Sequence, residues 1–282
     1  MSITVLDPGA LCTVQDRGRP GWAHLGVARS GALDAPAAAL ANRLLGNPPD
    51  AAVLETTLTG IRFRTSAPLW FAVTGAACAV RVAGRTVAYG AAVYAEPGAE
   101  VEVGPATDGV RSYVALAGGV DVPPVLGSRS TDTLAWVGPP RVEEGTELPV
   151  GPAPGRPRDH DTPRPRSHGP LRLRPGPRED WFAPGSLAAL CAATYTVDPD
   201  SNRVGLRLSG PPLERVRTDE LASEGMVLGA VQVPPDGQPV VLLADHPVTG
   251  GYPVIGVVHP DDVPRCAQVR PGEQVRFTPD RG

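Results

Sequence analysis

The sequence predicts an all-β protein with a few short helices, arranged as two lobes. Three observations carry that prediction. Glycine (33) and proline (34) make up about a quarter of the 282 residues, roughly twice the average share, so turns are frequent and long helices few. Short apolar runs recur along almost the whole chain, which separates it from a disordered polypeptide of similar composition. One stretch carries a full set of helix signals, and only one other is a candidate.

The well-signalled helix follows Asp34, which is placed to cap it. Pro36 suits the first turn, Ala37, Leu40, Ala41, Leu44 and Leu45 recur on one face, and Gly46-Asn47 stops it. The second candidate runs from Ser186 to Ala193. In the first lobe, Ala72–Val82, Thr86–Ala95, Val101–Val103 and Ser112–Ala117 read as strands between Gly and Pro breaks. In the second, Val204–Leu208, Ala230–Val233, Pro239–Ala244 and Val254–Val258 repeat the style. A turn-then-strand element recurs at Pro97-Gly98, Glu144-Gly145 and Pro271-Gly272, each followed by alternating apolar positions. It fits either a duplicated barrel or turn chemistry common to all-β chains.

Between the lobes, residues 151–170 (GPAPGRPRDHDTPRPRSHGP) lack the apolar content to build a core and read as a linker. The expected organisation is a lobe over 1–150, the linker over 151–170 and a lobe over 171–282. His160 and His168 fall in the linker, where solvated side chains rather than metal ligands are expected.

The formal net charge of −4 supplies no basic field, so nucleic acid is not an expected partner. MSITVLDPGALCTVQDRGRPG has no basic segment followed by an apolar core, and no apolar stretch reaches the ~18 residues a bilayer requires. A cytoplasmic protein with no membrane contact is expected. Cys12, Cys78, Cys191 and Cys266 form no C-x-x-C pair, so reduced thiols are expected and no metal site. All 26 basic side chains are arginine. The chain therefore carries no lysine Schiff base, no lysine-linked biotin or lipoate, and no P-loop. If ATP is used, another chain binds it.

Several polar segments are candidates for chemistry. Asp16 and Arg17, in QDRGRPG, suit either a polar substrate or a structural ion pair. Glu55 lies in a strand-like LETTLTG, as a general base if buried or on a solvated face if not. Arg129, in GSRST, suits an anion or a hydrogen-bonded turn. Asn202 tolerates left-handed backbone geometry, which favours a structural turn, and Arg203 beside it remains a candidate carboxylate binder. The densest segment, Ser223–Pro253, places Glu224, Gln232, Asp236, Thr249 and Tyr252 at strand ends or turns. Gly250-Gly251 leaves backbone N–H groups available for an oxyanion. Asp245-His246 is the one acid–histidine neighbour outside the linker, although adjacent strand residues point to opposite faces.

QDRGRPG, SGALD with A-x-x-x-A-N-x-L-L-G-N, LE-x-T-L-x-G, AGG-x-DVP-x-VLGSRST, SNR-x-G-x-R-L-x-G and SEG…QVPPDGQP…TGGYP occur in this order. With these motifs the chain resembles the biotin-dependent carboxyltransferase family of allophanate-hydrolase subunit 2 type. The likeness extends especially to the C-subunit type of prokaryotic 5-oxoprolinase and to kinase-inhibitor antagonists. The resemblance implies a cyclophilin-like β-barrel architecture. It also implies a subunit 1 type partner, a lactam-utilisation type component, and an ATP-dependent opening of 5-oxoproline to glutamate by the assembled complex. Two other activities occur among such relatives: carboxyl transfer from carboxybiotin on a separate carrier to an amide such as urea, and non-catalytic relief of a histidine-kinase inhibitor. The motif positions carried over are Asp16, Arg17, Asp34, Glu55, Arg129, Asn202, Arg203, Glu224, Gln232, Asp236, Thr249 and Tyr252. Of these, Glu224, Asp236 and Tyr252 are the catalytic candidates. Asp16, Arg17, Glu55, Arg129, Asn202, Arg203, Gln232 and Thr249, with Gly250 and Gly251, are the substrate-binding ones.

Overall fold

The computed structural model describes residues 1–157, 161–163, 165–217 and 219–280; His160 lies outside them. They form two compact units. The first comprises Met1–Arg19, Ser30–Asp132 and Trp136–Pro165, and the second Pro20–Arg29, Thr133–Ala135 and the chain from Arg166 onward. Two excursions of N-terminal sequence thus count with the second unit, and the described part of 151–170 is divided between the two.

The first unit is a nine-stranded antiparallel sheet. Its backbone path runs Leu11–Gln15, Val53–Thr57, Glu100–Leu116, Ile61–Thr65, Ser2–Asp7 and Glu147–Pro149. Leu69–Val82 pairs along Glu100–Leu116 and carries the short strands Arg85–Val87 and Ala92–Ala95. Ile3, Leu54, Phe63, Phe71, Val101 and Leu116 fill one core. The helix Ala35–Leu44 buries Ala38, Leu40, Ala41 and Leu44 against Val53, Ala72 and Tyr113. The Asp34 side chain accepts from the Ala37 N–H at 3.1 Å, as a cap does.

Two strand expectations are corrected here. Thr86–Ala95 is not one strand but two, separated by a turn around Gly90, whose φ is 72°. Val101–Val103 and Ser112–Ala117 are parts of a single 17-residue strand, Glu100–Leu116. The glycines between them do not end the strand, because register shifts between Gly75 and Val80 on the partner absorb the irregularity.

The second unit is a closed seven-stranded barrel. Its order is Leu171–Pro175, Val254–Val258, Ala230–Gln232, Val240–Leu242, Gly205–Ser209, Thr194–Val197 and Gln274–Pro279. Closure is parallel, with Leu171 opposite Phe277. Leu173, Tyr195, Leu206, Val231, Ile255 and Phe277 are buried in it. Closing the barrel removes the open sheet edges that would otherwise template aggregation. The short helix Ser186–Ala192 falls where the sequence places it. Outside the barrel, Glu224–Gly225 pairs with Thr249–Gly250. No helix among the described residues is long and apolar enough to cross a membrane. No group of three or more His, Cys, Asp or Glu among them is placed to hold a metal ion.

Candidate functional site

In the first unit Asp16 and Glu55 sit in separate networks of polar contacts. The Asp16 carboxylate accepts from Ser128 Oγ and Ser130 Oγ, both at 2.6 Å, and from the backbone N–H groups of Gly18 and Arg129 at 2.7 and 2.6 Å. It fastens the 128–130 loop to the end of the second strand. Arg129 turns back on its own loop, with Nε donating to Val122 O at 2.6 Å and Nη2 to Asp121 Oδ1 at 2.7 Å. Glu55 is 1% exposed, accepts from the Leu33 N–H at 2.9 Å and lies 3.6 Å from Arg111. Tyr113, which accepts from the Asp34 N–H, has its phenol pushed well up by burial and then by the charges of Glu55 and Asp34. Arg17 is exposed and makes no side-chain hydrogen bond among the described residues.

In the second unit Arg203 and Asp245 form a bidentate pair, 2.8 and 3.0 Å, with side chains only 1% and 0% exposed. Asp245 also accepts from the Thr133 N–H and hydroxyl, at 2.9 and 2.7 Å. His246 instead places Nδ1 2.8 Å from Pro247 O. Asp245-His246 therefore forms no acid–histidine dyad: Asp245 faces Arg203 from a turn beyond the strand Val240–Leu242, so the strand alternation expected of the pair does not apply. Asn202 Oδ1 accepts from Val204 N–H at 2.8 Å, a local turn.

The remaining candidates gather around the pairing of Glu224–Gly225 with Thr249–Gly250. Arg178 grips both Glu224 carboxylate oxygens. Gln232 Nε2 donates to Tyr252 O at 3.3 Å. A Cβ at Gly250 would sit 2.7 Å from that nitrogen, so any larger residue there would displace the Gln232 amide. Thr249 is exposed.

Beside this pairing lies a groove of about 520 Å³. Asp236, Gly251, Tyr252, Leu213, Arg215 and Arg217 are among the residues that line it. Asp236 sits in a turn closed by Gly237 N–H to Pro234 O at 3.0 Å, its carboxylate accepting from the Gln238 N–H. Arg215 and Arg217 are the residues the sequence reading passes over. No local pattern signals them, because the Trp181 ring that gathers both lies more than thirty positions earlier. Hydrogen bonds from Val216 N–H to Trp181 O and from Ala183 N–H to Glu214 O hold that segment against the 181–183 backbone. Both guanidiniums then lie over the Trp181 ring, 5.8 and 5.3 Å from its centroid. Arg217 also pairs with Asp180 at 2.9 Å. Arg215 Nε and Trp181 Nε1 are buried with no hydrogen-bond partner among the described residues. A buried donor without an acceptor is costly, about 1–3 kcal/mol.

Comparison with known proteins agrees with this architecture. The C subunit of 5-oxoprolinase from Escherichia coli is 37% identical over 279 residues, covering 98% of this chain and 90% of that protein. Urea amidolyase of Lachancea kluyveri is 31% identical, covering 98% of this chain and 17% of that protein. Among solved structures, TTHA0988 superposes with a TM-score of 0.90 at 39% identity. The urea amidolyase of K. lactis superposes with 0.91 at 28%. This chain spans 55% of the first and 18% of the second. Residues 25–279 match the model of the carboxyltransferase domain, subdomain A and B. With a family match over most of its length and a barrel and sheet shared with these structures, the chain belongs to the carboxyltransferase domain family, subdomain A and B.

Proposed function

We propose that this chain is the carboxyltransferase-family subunit of a heteromeric, ATP-dependent 5-oxoprolinase of the cytoplasm. It acts with a subunit 1 type partner and a lactam-utilisation type component to open 5-oxo-L-proline to L-glutamate. The observation that carries the reading is the 37% identity with the C subunit of a 5-oxoprolinase over 98% of the chain.

In this reading the groove beside Tyr252 seats the lactam. 5-Oxoproline presents one carboxylate and one cyclic amide on an apolar ring. Arg215 receives the carboxylate, since it lines the groove and forms no ion pair among the described residues. Leu213 and Leu221 lie against the ring methylenes. Asp236 and Tyr252, both exposed in the groove, are positioned to exchange protons with the amide. Arg203 and Arg129, engaged by Asp245 and Asp121, hold the scaffold, and Glu224 with Arg178 holds the Thr249–Gly250 edge. Arg215 and Arg217 face Glu214, Asp219, Glu220 and Asp236 in the groove. The four carboxylates disfavour a triphosphate there far more than a monoanion, which depends on its direct contact with one arginine. ATP, which activates the lactam oxygen when bound, is therefore assigned to another component.

Glutamate release from 5-oxoproline and ATP tests the reading, with each of the three components omitted in turn. Activity should vanish without this chain. Arg215→Met should raise KM for 5-oxoproline roughly 10- to 100-fold, the size of a lost charge-assisted hydrogen bond of ~1.5–3 kcal/mol.

The similarity to urea amidolyases, at 31% identity over 98% of the chain, favours a second reading. There the same groove accepts an amide substrate, and carboxybiotin arrives on a separate carrier, because this chain has no lysine to carry biotin. An assembled set without glutamate release but with biotin-dependent carboxyl transfer would select it.

A further inference from the structure

We propose that the barrel unit carries a separate anion site for a phosphate group, in a cavity formed by residues 166–171, Arg265 and the strand Gln274–Pro279. The cavity is about 220 Å³ in volume. None of the residues assigned to the lactam groove lines it.

Among the described residues, three guanidiniums line this cavity, Arg166, Arg265 and Arg276, against one carboxylate, Glu273. That is the reverse of the acidic groove beside Tyr252. Glu273 and Arg166 neutralise each other, which leaves Arg265 and Arg276 as the lining charges in excess. Glu273 accepts both arms of Arg166 and also the Arg270 N–H at 2.9 Å. Arg265 is fixed by the carbonyls of Gly169 and Pro170 and lies 3.3 Å from Asp262. Its Nε is buried with no hydrogen-bond partner among the described residues. The side chains of Arg166 and Arg265 are only 13% and 20% exposed, so these charges are preorganised rather than swinging in solvent. At the mouth, Arg276 and His168 make no ion pair and no side-chain hydrogen bond among the described residues.

The donors arrive from three directions: the 166–170 segment, the Arg265 turn and the barrel strand. A carboxylate occupies one guanidinium fork in its plane. A tetrahedral phosphate offers oxygens in separate directions and so answers all three, with the Ser167 hydroxyl within the same lining. The volume admits inorganic phosphate or the phosphoryl end of a small phosphomonoester.

Calorimetric titration of the full chain with inorganic phosphate, and separately with glycerol phosphate, tests the site. Millimolar or tighter binding of either ligand is expected, weakened about tenfold by Arg276→Gln and further by adding His168→Gln. Both positions are exposed, and unchanged circular dichroism and Tm would confirm that the variants fold. Tighter binding of inorganic phosphate assigns the site to the free ion. Tighter binding of glycerol phosphate assigns it to a phosphorylated metabolite. No binding of either ligand overturns the proposal, as does binding that both substitutions leave unchanged, or acetate competing as well as phosphate.

Discussion

The pair Arg203–Asp245 shows what a single residue does here. With both side chains at most 1% exposed, neither charge has water to fall back on. Removing one partner of such a pair costs about 3–5 kcal/mol, whereas replacing both with apolar groups of similar volume is far less damaging. Asp245→Asn should therefore lower the urea midpoint sharply, and Arg203→Met/Asp245→Leu should recover much of the loss. Equal destabilisation in the single and double variants would contradict the pairing. From sequence, Arg203 stands as a free carboxylate binder because its partner lies 42 positions away. Arg129 stands likewise, though it braces its own loop through Asp121 and Val122. The type of residue was legible at these positions, but whether each guanidinium faces a ligand or a carboxylate of the same chain is a tertiary fact. Arg215 is the converse case, passed over in sequence because the Trp181 ring beneath it lies 34 positions earlier. The thiols make a second test at this scale. Burial pushes Cys266 up to about 12, and pushes Cys12 higher still. Iodoacetamide at pH 8 should leave both unlabelled in the native protein and label them on unfolding, as peptide mass spectrometry would read.

At the scale of elements, turns were the most legible feature because their chemistry is local. Pro97-Gly98, Glu144-Gly145 and Pro271-Gly272 close one kind of turn. The N–H of Ala99, Thr146 and Glu273 bonds the carbonyl three residues earlier, and φ is 76°, 81° and 84° at the glycines. The Asp34 cap and the helix after it were legible for the same reason. The long strand Glu100–Leu116 was not, because its continuity depends on bulges in the partner strand rather than on its own residues. Nor could sequence show that Pro20–Arg29 counts with the second unit. Gly60 gives the element-scale prediction. Its φ is 78°, and a Cβ there would overlap the Val103 carbonyl oxygen in the neighbouring strand. Gly60→Ala thus meets backbone rather than a side chain that can swing aside. It should cost more than the ~1–2 kcal/mol of a left-handed Cβ alone. Gly98→Ala, with open space at its Cβ, should cost only that strain. Thermal melts of the two variants compare them directly, and equal Tm losses would contradict the overlap.

For the whole molecule, the closure of the barrel sets the pH range over which the second unit holds. Asp262 sits at that closure. Its carboxylate accepts from the Arg172 N–H at 2.8 Å and from the Arg172 guanidinium at 2.9 and 3.2 Å, beside the parallel pairing of Leu171–Pro175 with Gln274–Pro279. Burial alone would raise the Asp262 pKa, but the hydrogen bonds from Arg172 and the charges of Arg265 and Arg172 hold it below the usual carboxylate range. A carboxyl group lowered on folding stabilises the native state fully above its unfolded pKa, about 3.9. That contribution disappears as pH falls through the lower, folded value. Cys266, four residues on, works in the opposite sense. Its thiol is raised from 9.0 to about 12, so its share of stability is present below pH 9 and is lost as pH climbs toward 12. The barrel is therefore bounded by an acid limb at Asp262 and an alkaline limb at Cys266. Asp262→Asn should lower stability at pH 7 yet flatten the fall between pH 5 and 3, and Cys266→Ala should flatten the alkaline limb alone. Urea midpoints across this range measure both. If Asp262→Asn kept the wild-type acid slope, some other carboxylate would have to hold the closure.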